Sequence, residues 1–158
     1  MHIRLNLNKL LRNTGLFAIT CLTNSFLAYP AISQVQTFRS LSAPSAPYSG
    51  ATRAGNTIYV GGVIGLSDNE KSLVPGGIEK EANAAFDHVI AMVEKAGGEK
   101  TDIAKCIVLV SNIDYFPALN KVFTEKFPTA PPTRSTIVVS KIPMEAAIEV
   151  ECTAYNKQ

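Results

Sequence analysis

The stretch from Ile78 to Ala96 has the clearest periodicity in the chain and most constrains its fold. Apolar residues recur there every three or four positions, at Ile78, Ala82, Ala85, Val89, Met92, Val93 and Ala96, and charged residues lie largely opposite, at Lys80, Glu81, Asp87, Glu94 and Lys95. This spacing predicts an amphipathic helix with one apolar stripe. Gly97 and Gly98 follow it, as is typical of a helix C-terminus.

A second, shorter helix is predicted from Tyr115 to Phe127. Its apolar residues have the same three- and four-residue spacing and are Phe116, Leu119, Val122, Phe123 and Phe127. Pro117 falls in the first turn, where no hydrogen bond is lost, and Asp114 is the predicted N-cap. Because each helix has a single apolar stripe, the two together can cover only one face of a sheet.

The remaining ordered segments are predicted to be the strands of that sheet. Runs rich in β-branched residues, or bounded by turn residues, lie at 35–39, 48–53, 57–65, 103–110, 134–140 and 148–153. A hairpin is expected at Gly55, and the strand at 103–110 is apolar enough to be buried on both faces. The mixed order predicts an α+β fold with two helices packed on one face of a mixed sheet. An open face that carries apolar residues favours oligomerisation.

Arg134 and Glu149 are the residues whose chemistry stands out. Because side chains alternate along a strand, Glu149 is expected on the same face as Glu151. Arg134 opens the preceding predicted strand, and we expect the two strands to be neighbours whose side chains form one pocket. A guanidinium can pair in bidentate fashion with a substrate carboxylate, and a carboxylate can act on a water molecule. The same spacing also allows a surface where both groups are solvated or paired with each other.

Residues 1–33 are predicted to be a cleaved signal peptide, which leaves residues 34–158 as one domain. Basic residues without any acidic residue precede an apolar stretch that begins at Gly15, and Ala31-Ile32-Ser33 has the small residues of a cleavage site. A membrane anchor, a transit peptide and a spurious upstream start are the alternatives. The mature chain is therefore expected to be exported, periplasmic or secreted, without membrane contact after cleavage.

The charge of the predicted mature chain is close to neutral. Residues 1–33 contain three of the 15 basic residues and none of the 13 acidic ones, which leaves 12 basic against 13 acidic residues and a net charge of −1. No basic patch interleaved with aromatic residues remains, so nucleic acid is not an expected partner.

Two cysteines, Cys106 and Cys152, belong to the predicted mature chain. Neither lies in a close-spaced cluster of Cys or His, so no metal site is expected. In an oxidising compartment the two could form a disulfide, and in apolar strands they could equally be free core residues. The sequence leaves both states open.

Six short motifs occur together in an order and spacing that resemble the Rid (YjgF-type) reactive-intermediate deaminase family. They are Pro47-Tyr48-Ser49-Gly50, Ile58-Tyr59-Val60-Gly61-Gly62, Met92-Val93-Glu94-Lys95-Ala96-Gly97, Phe116-Pro117-Ala118-Leu119-Asn120, Pro131-Pro132-Thr133-Arg134-Ser135-Thr136 and Ile148-Glu149-Val150-Glu151. The resemblance covers roughly the whole predicted mature domain.

The resemblance implies a chorismate-mutase-like fold assembled as a homotrimer, with a cleft at each subunit interface. It implies hydrolysis of 2-imino acids to 2-keto acids and ammonia, without a metal or an organic cofactor. The family's carboxylate-binding arginine corresponds to Arg134, and its water-orienting glutamate corresponds to Glu149. Further substrate-binding groups correspond to Tyr48, Gly61, Gly62, Asn120 and Thr136.

The sequence departs from the common family pattern at three positions. Gly61 stands where a Ser is often found, Val63 where a Gln is often found, and Thr136 where a Cys is often found. These changes keep a second function open, a non-catalytic trimer that binds a small carboxylate in the same cleft. A third function attached to family members, ribonuclease activity or inhibition of translation, has little support from a net charge of −1. The preferred imino acid is not evident from the sequence.

Overall fold

The computed structural model describes residues 34–41, 43–67 and 72–157. The predicted signal peptide, residues 1–33, lies outside these described ranges. Within them, no helix combines the length and the apolar character that crossing a membrane requires.

The described residues form one six-stranded sheet and two α-helices. The strands are β1 (Gln36–Phe38), β2 (Ala51–Ala54), β3 (Thr57–Ile64), β4 (Ile103–Val110), β5 (Thr133–Val138) and β6 (Ile148–Tyr155), and the helices are α1 (Ile78–Lys95) and α2 (Phe116–Lys126). The strand order is β1-β2-β3-β6-β4-β5, and only the β4–β5 pair is parallel. This architecture confirms the predicted α+β fold with a mixed sheet and two helices.

Helix α1 provides most of the apolar layer above the sheet. Ala82, Phe86, Val89 and Val93 are fully buried against it. The helix ends where Gly97 adopts a left-handed backbone conformation with φ 84°, and the N–H of Gly98 then donates to the carbonyl of Val93 at 3.0 Å. The predicted C-terminus at the glycine pair is therefore confirmed.

Helix α2 packs beside α1 through aromatic side chains. Phe86 of α1 meets Phe123 and Phe127 edge to face, with ring centroids 5.6 Å and 6.0 Å away. Such pairs contribute about 0.5–1.5 kcal/mol each beyond the burial of their surface. They fix the position of α2 over the edge of the sheet where β5 lies.

The capping residue before α2 differs from the prediction. The N-cap of α2 is Tyr115, without a side-chain hydrogen bond, and a 3₁₀ turn over Ile113–Tyr115 precedes the helix. Asn112 caps that turn, because its side chain accepts a hydrogen bond from the N–H of Asp114 at 3.0 Å. The prediction of Asp114 as the cap was wrong: the N-cap of α2 is one residue later, and the side chain that caps the preceding turn is two residues earlier, since the sequence pattern did not reveal this turn.

Both helices lie on one face of the sheet, as predicted. In β6 the side chains of Ile148, Val150 and Cys152 are buried, while Glu149 and Glu151, between them, are partly or fully exposed. Strand β4 is not buried on both faces: Val108 is fully buried, but the alternate side chains between the buried ones remain partly exposed. The second face of the sheet is thus open in the single chain.

Strands β5 and β6 are not neighbours, contrary to the expectation from the sequence. Strand β4 lies between them, parallel to β5 and antiparallel to β6. The loop and 3₁₀ turn that follow β5 carry the chain past β4, and a crossover of this kind has no signature in the hydrophobic pattern.

A disulfide joins Cys106 of β4 to Cys152 of β6. The two residues are direct partners in the antiparallel register, and their sulfur atoms are 2.02 Å apart. Both side chains are buried in the core. Of the two states left open by the sequence, the structure has the bonded one.

Reduction of this disulfide is expected to destabilise the domain. A bond that closes a loop of 46 residues typically contributes about 2–4 kcal/mol to the free energy of unfolding, because it restricts the unfolded chain. Urea unfolding with and without dithiothreitol measures the difference. The double variant Cys106→Ala/Cys152→Ala is the matched control and should be insensitive to the reductant. Equal stability of the wild-type chain in both buffers would contradict a disulfide in the folded protein.

Candidate functional site

Arg134 projects from the edge strand β5 towards helix α2. Its register partner on β4 is the buried Cys106, so its side chain leaves the sheet on the helix-covered face. There the guanidinium donates from Nη2 to Oδ1 of Asn120 at 2.5 Å. Its Cζ atom lies 4.6 Å from the centroid of the Phe123 ring and 5.5 Å from that of Phe116.

These contacts hold a cation in a half-buried position. Burial lowers the pKa of the Arg134 guanidinium below its usual value, but an arginine side chain still carries its charge at neutral pH. The aromatic rings offset part of the desolvation through cation–π attraction. The bond with Asn120 uses one of the five N–H donors of the guanidinium, and a planar fork of this kind suits a carboxylate.

Thr136 lies on the same face of β5 as Arg134, two residues further along. It is paired with the buried Val108 of β4 and is itself half-buried. Asn120, Arg134 and Thr136, three of the residues that the sequence predicted, therefore lie together. With the two phenylalanine rings they form what we call the arginine half-site.

A cavity of about 230 Å³ lies beside β3, which β6 and β4 separate from β5 in the sheet. Three further predicted residues, Tyr48, Gly61 and Gly62, line it together. Its remaining lining residues are Ser40, Ala43, Ser49, Gly50, Val63, Ile64, Leu66, Pro143 and Met144. We call this space the glycine cavity.

Glu149 lies against the glycine that borders this cavity. The β3–β6 register shifts between Val60 and Val63, which is a β-bulge at the glycine pair. A Cβ atom built on Gly62 would overlap Oε1 of Glu149 and lie 2.9 Å from its Cδ atom. A side chain at position 62 would therefore displace the carboxylate, and we call Glu149 together with the glycine cavity the glutamate half-site.

Glu81 is a buried carboxylate, although the helical periodicity predicts it on the polar side of α1. It is only 7% exposed, and its Oε2 accepts a hydrogen bond from the N–H of Ala147 at 2.7 Å. The carbonyl of Ala147 in turn accepts from the N–H of Ser111 at 3.1 Å. Ala147 immediately precedes β6 and lies two residues before Glu149, so Glu81 fixes the start of the strand that carries this carboxylate. Helical periodicity alone could not find it, because a polar residue beside the apolar stripe usually faces solvent.

The two half-sites do not meet within one chain. Leu109 of β4 pairs with Glu149 on one side and with Ile137 of β5 on the other, so Glu149 shares a face with Ile137. Arg134 leaves the opposite face, three residues before Ile137 along an alternating strand. The expectation that Arg134 and Glu149 line one pocket of a single chain was therefore wrong. Among the described residues, no group of three or more His, Cys, Asp or Glu side chains is arranged to hold a metal ion.

Two solved structures superpose on this chain over almost their whole length, and one of them is a Rid-family protein by name. RidA from an Antarctic Psychrobacter superposes with a TM-score of 0.71 at 31% sequence identity, over 76% of this chain and 98% of that one. Yeast Mmf1 superposes with a TM-score of 0.73 at 28% identity, over 78% of this chain and 100% of that one.

Sequence comparison leads to the same class. A curated relative from Dermatophagoides farinae, named 2-iminobutanoate/2-iminopropanoate deaminase, is 39% identical over 108 residues, which are 68% of this chain and 84% of the relative. A family model described as Endoribonuclease L-PSP matches residues 39–156. The chain therefore belongs to the endoribonuclease L-PSP family, that of the Rid and YjgF proteins, as the motifs indicated.

Removal of the Glu81 carboxylate is expected to destabilise the start of β6. Glu81→Ala leaves the buried N–H of Ala147 without its acceptor, which costs about 1–3 kcal/mol of unfolding free energy. Glu81→Gln keeps an oxygen at the same position and should lose clearly less. Urea unfolding of the two variants measures the difference. Equal losses would show that the hydrogen bond is not what Glu81 contributes.

Proposed function

We propose that this protein hydrolyses 2-imino acids to 2-keto acids and ammonia, at sites formed between the subunits of a homotrimer. The observation that carries the proposal is the arginine half-site. It holds a desolvated guanidinium between an amide acceptor and two aromatic rings, and its fork is suited to the carboxylate common to all 2-imino acids. The name of the curated relative from Dermatophagoides farinae, 2-iminobutanoate/2-iminopropanoate deaminase, supports the same activity.

The separation of the two half-sites supports assembly between copies of the chain. Arg134 and Glu149 lie on opposite faces of one sheet, so a substrate that touches both needs them from two subunits. The open face carries partly exposed apolar side chains, including Ile137 at 48% and Tyr59 at 49% exposure, which a neighbouring subunit would cover. In a cyclic trimer, one subunit would supply the arginine half-site and the next the glutamate half-site.

The reaction needs positioning more than chemical activation. Arg134 would bind the substrate carboxylate and hold the C=N carbon at a fixed place. Water would attack that carbon, and the π electrons of the C=N bond would move to nitrogen. Glu149 would accept a proton from the water and pass it to the nitrogen, which gives a carbinolamine with one hydroxyl and one amino group. The hydroxyl proton would then move to the amino nitrogen by way of the same carboxylate, the C–N bond would break, ammonia would leave, and the C=O bond of the 2-keto acid would form. Tyr48 would orient the substrate by hydrogen bonding, and no step calls for a metal or an organic cofactor.

The charge of the open face argues against a nucleic-acid substrate. Glu149 and Glu151 project from the open face, where carboxylates would repel the phosphates of nucleic acid, so a nucleic-acid substrate is not part of the proposal.

Export of the protein through residues 1–33, to the periplasm or the exterior, is also part of the proposal. The Cys106–Cys152 disulfide supports an oxidising destination, since such bonds persist there and are rare in the cytosol.

A second function is favoured by the chemistry of the glycine cavity. Its lining contains no side chain that is charged at neutral pH, and Gly61 and Val63 contribute no polar side chain to it. A protein that binds a small carboxylate without transforming it could have such a wall. The two functions differ in turnover, which the following experiment measures.

The activity is tested by imine quenching with residues 34–158. An amino-acid oxidase supplies imine, semicarbazide traps it, and the protein should accelerate loss of the trapped product. Arg134→Ala should reduce this acceleration by at least about a hundredfold, because the substrate carboxylate loses its anchor. Arg134→Lys should also be poor, since an ammonium group cannot reproduce the planar fork.

The control for these variants is Lys121→Ala, which removes an exposed cation from the same helix that carries Asn120. It should leave quenching unchanged. Full activity of Arg134→Ala would overturn the role of the arginine half-site. A folded wild-type protein that binds 2-keto acids but quenches no imine would establish the binding function instead.

A further inference from the structure

The wall of the glycine cavity is more apolar than polar. Seven of its lining residues present largely apolar side chains, Ala43, Tyr48, Val63, Ile64, Leu66, Pro143 and Met144, and the other side chains in the lining are two serines. A group of atoms that enters this space gains dispersion contacts and finds few hydrogen-bonding partners. The cavity therefore suits a hydrocarbon group better than a charged side chain.

The cavity adjoins the point where the reaction would occur. Gly62 is a lining residue, and the Glu149 carboxylate lies directly against it. In a 2-imino acid, the C=N carbon carries three substituents, which are the nitrogen, the carboxylate and the side chain. When this carbon is in front of Glu149, each substituent lies in a different direction. The carboxylate is bound by Arg134, and the nitrogen must stay beside Glu149 to receive its protons, so the side chain is the group left to enter the cavity.

The space beside Gly61 is open. A Cβ atom at this position would have no neighbour closer than the carbonyl oxygens of Ser49 at 3.8 Å and Gly50 at 4.0 Å. The whole cavity, about 230 Å³, equals nearly eight times the ~30 Å³ that one water molecule occupies in the liquid. A methyl group would leave most of this volume unfilled, whereas a branched four-carbon side chain would fill much more of it.

Met144 closes part of the cavity from an unusual backbone conformation. It lies in the 3₁₀ turn Pro143–Glu145 with φ 59°, in the left-handed region that residues with side chains rarely adopt. Its thioether is flexible and can adjust to hydrocarbon groups of different shape. The turn thus aims an adaptable apolar side chain at the cavity.

We infer that the glycine cavity selects 2-imino acids with a bulky apolar side chain, such as those derived from leucine, over those with a methyl side chain. The inference rests on the proposed function for the location of the reacting carbon. The inference adds a preference among 2-imino acids, which the names of the relatives do not give for this chain.

The first arm of the test measures kcat/KM for the leucine-derived and the alanine-derived imine. The wild-type protein should prefer the leucine-derived imine by at least about tenfold, since each extra buried methylene contributes to discrimination. Gly61→Ala adds a methyl group to a residue that lines the cavity and should reduce this ratio at least about threefold. Met144→Lys replaces an apolar wall with a cation and should reduce it as well.

The matched control is Val35→Lys, which replaces an exposed apolar residue outside the cavity with the same cation. It should leave the ratio unchanged. A wild-type ratio near one, or a ratio that Gly61→Ala does not change, would overturn the inference while imine turnover itself upholds the proposed function.

The second arm measures binding of the 2-keto acid of leucine and of pyruvate by calorimetry, with the same variants. A preference for the larger keto acid that Gly61→Ala reduces supports the inference even if no imine is hydrolysed. In that case the proposed activity fails and the ligand class stands. Equal affinities for the two keto acids would count against the inference whatever the activity.

Discussion

The structure depends on the fact that both helices lie on one face of the sheet. Each helix has one apolar stripe, so the side chains of β3, β4 and β6 are buried on one face and exposed on the other. The alternation of strand side chains then sends Arg134 towards α2 and Glu149 to the open face. A single structural constraint thus separates the two groups of the proposed mechanism.

Each half-site is held by its own supporting contacts. The arginine half-site depends on α2, whose position is fixed by the edge-to-face contacts of Phe86 with Phe123 and Phe127. The glutamate half-site depends on the start of β6, where the buried Glu81 holds Ala147. The disulfide links the strands that carry the two half-sites: Cys152 lies on β6 with Glu149, and Cys106 on β4 is the register partner of Arg134. The rigid sheet thereby sets the distance between half-sites on its two faces.

The sequence predicted those features that have a local pattern. Helical periodicity placed α1 and its end at Gly97, and alternation placed Glu149 opposite the buried face of β6. It did not reveal how distant segments meet: the insertion of β4 between β5 and β6 depends on the strand order, and the burial of Glu81 depends on the packing of α1 against Ala147. It left the state of the cysteines open, because their pairing depends on the β4–β6 register. Asn112 was missed because a short 3₁₀ turn precedes α2, and Met144 because no local signal marks its left-handed backbone.

The most direct test of the account is complementation between two inactive variants. Arg134→Ala and Glu149→Gln are co-expressed with different tags, and mixed oligomers are purified and assayed by imine quenching. If each site takes its arginine from one subunit and its glutamate from the next, every mixed cyclic trimer has one intact site, which is about a third of its sites. Mixed oligomers as inactive as either parent would contradict a site shared between subunits.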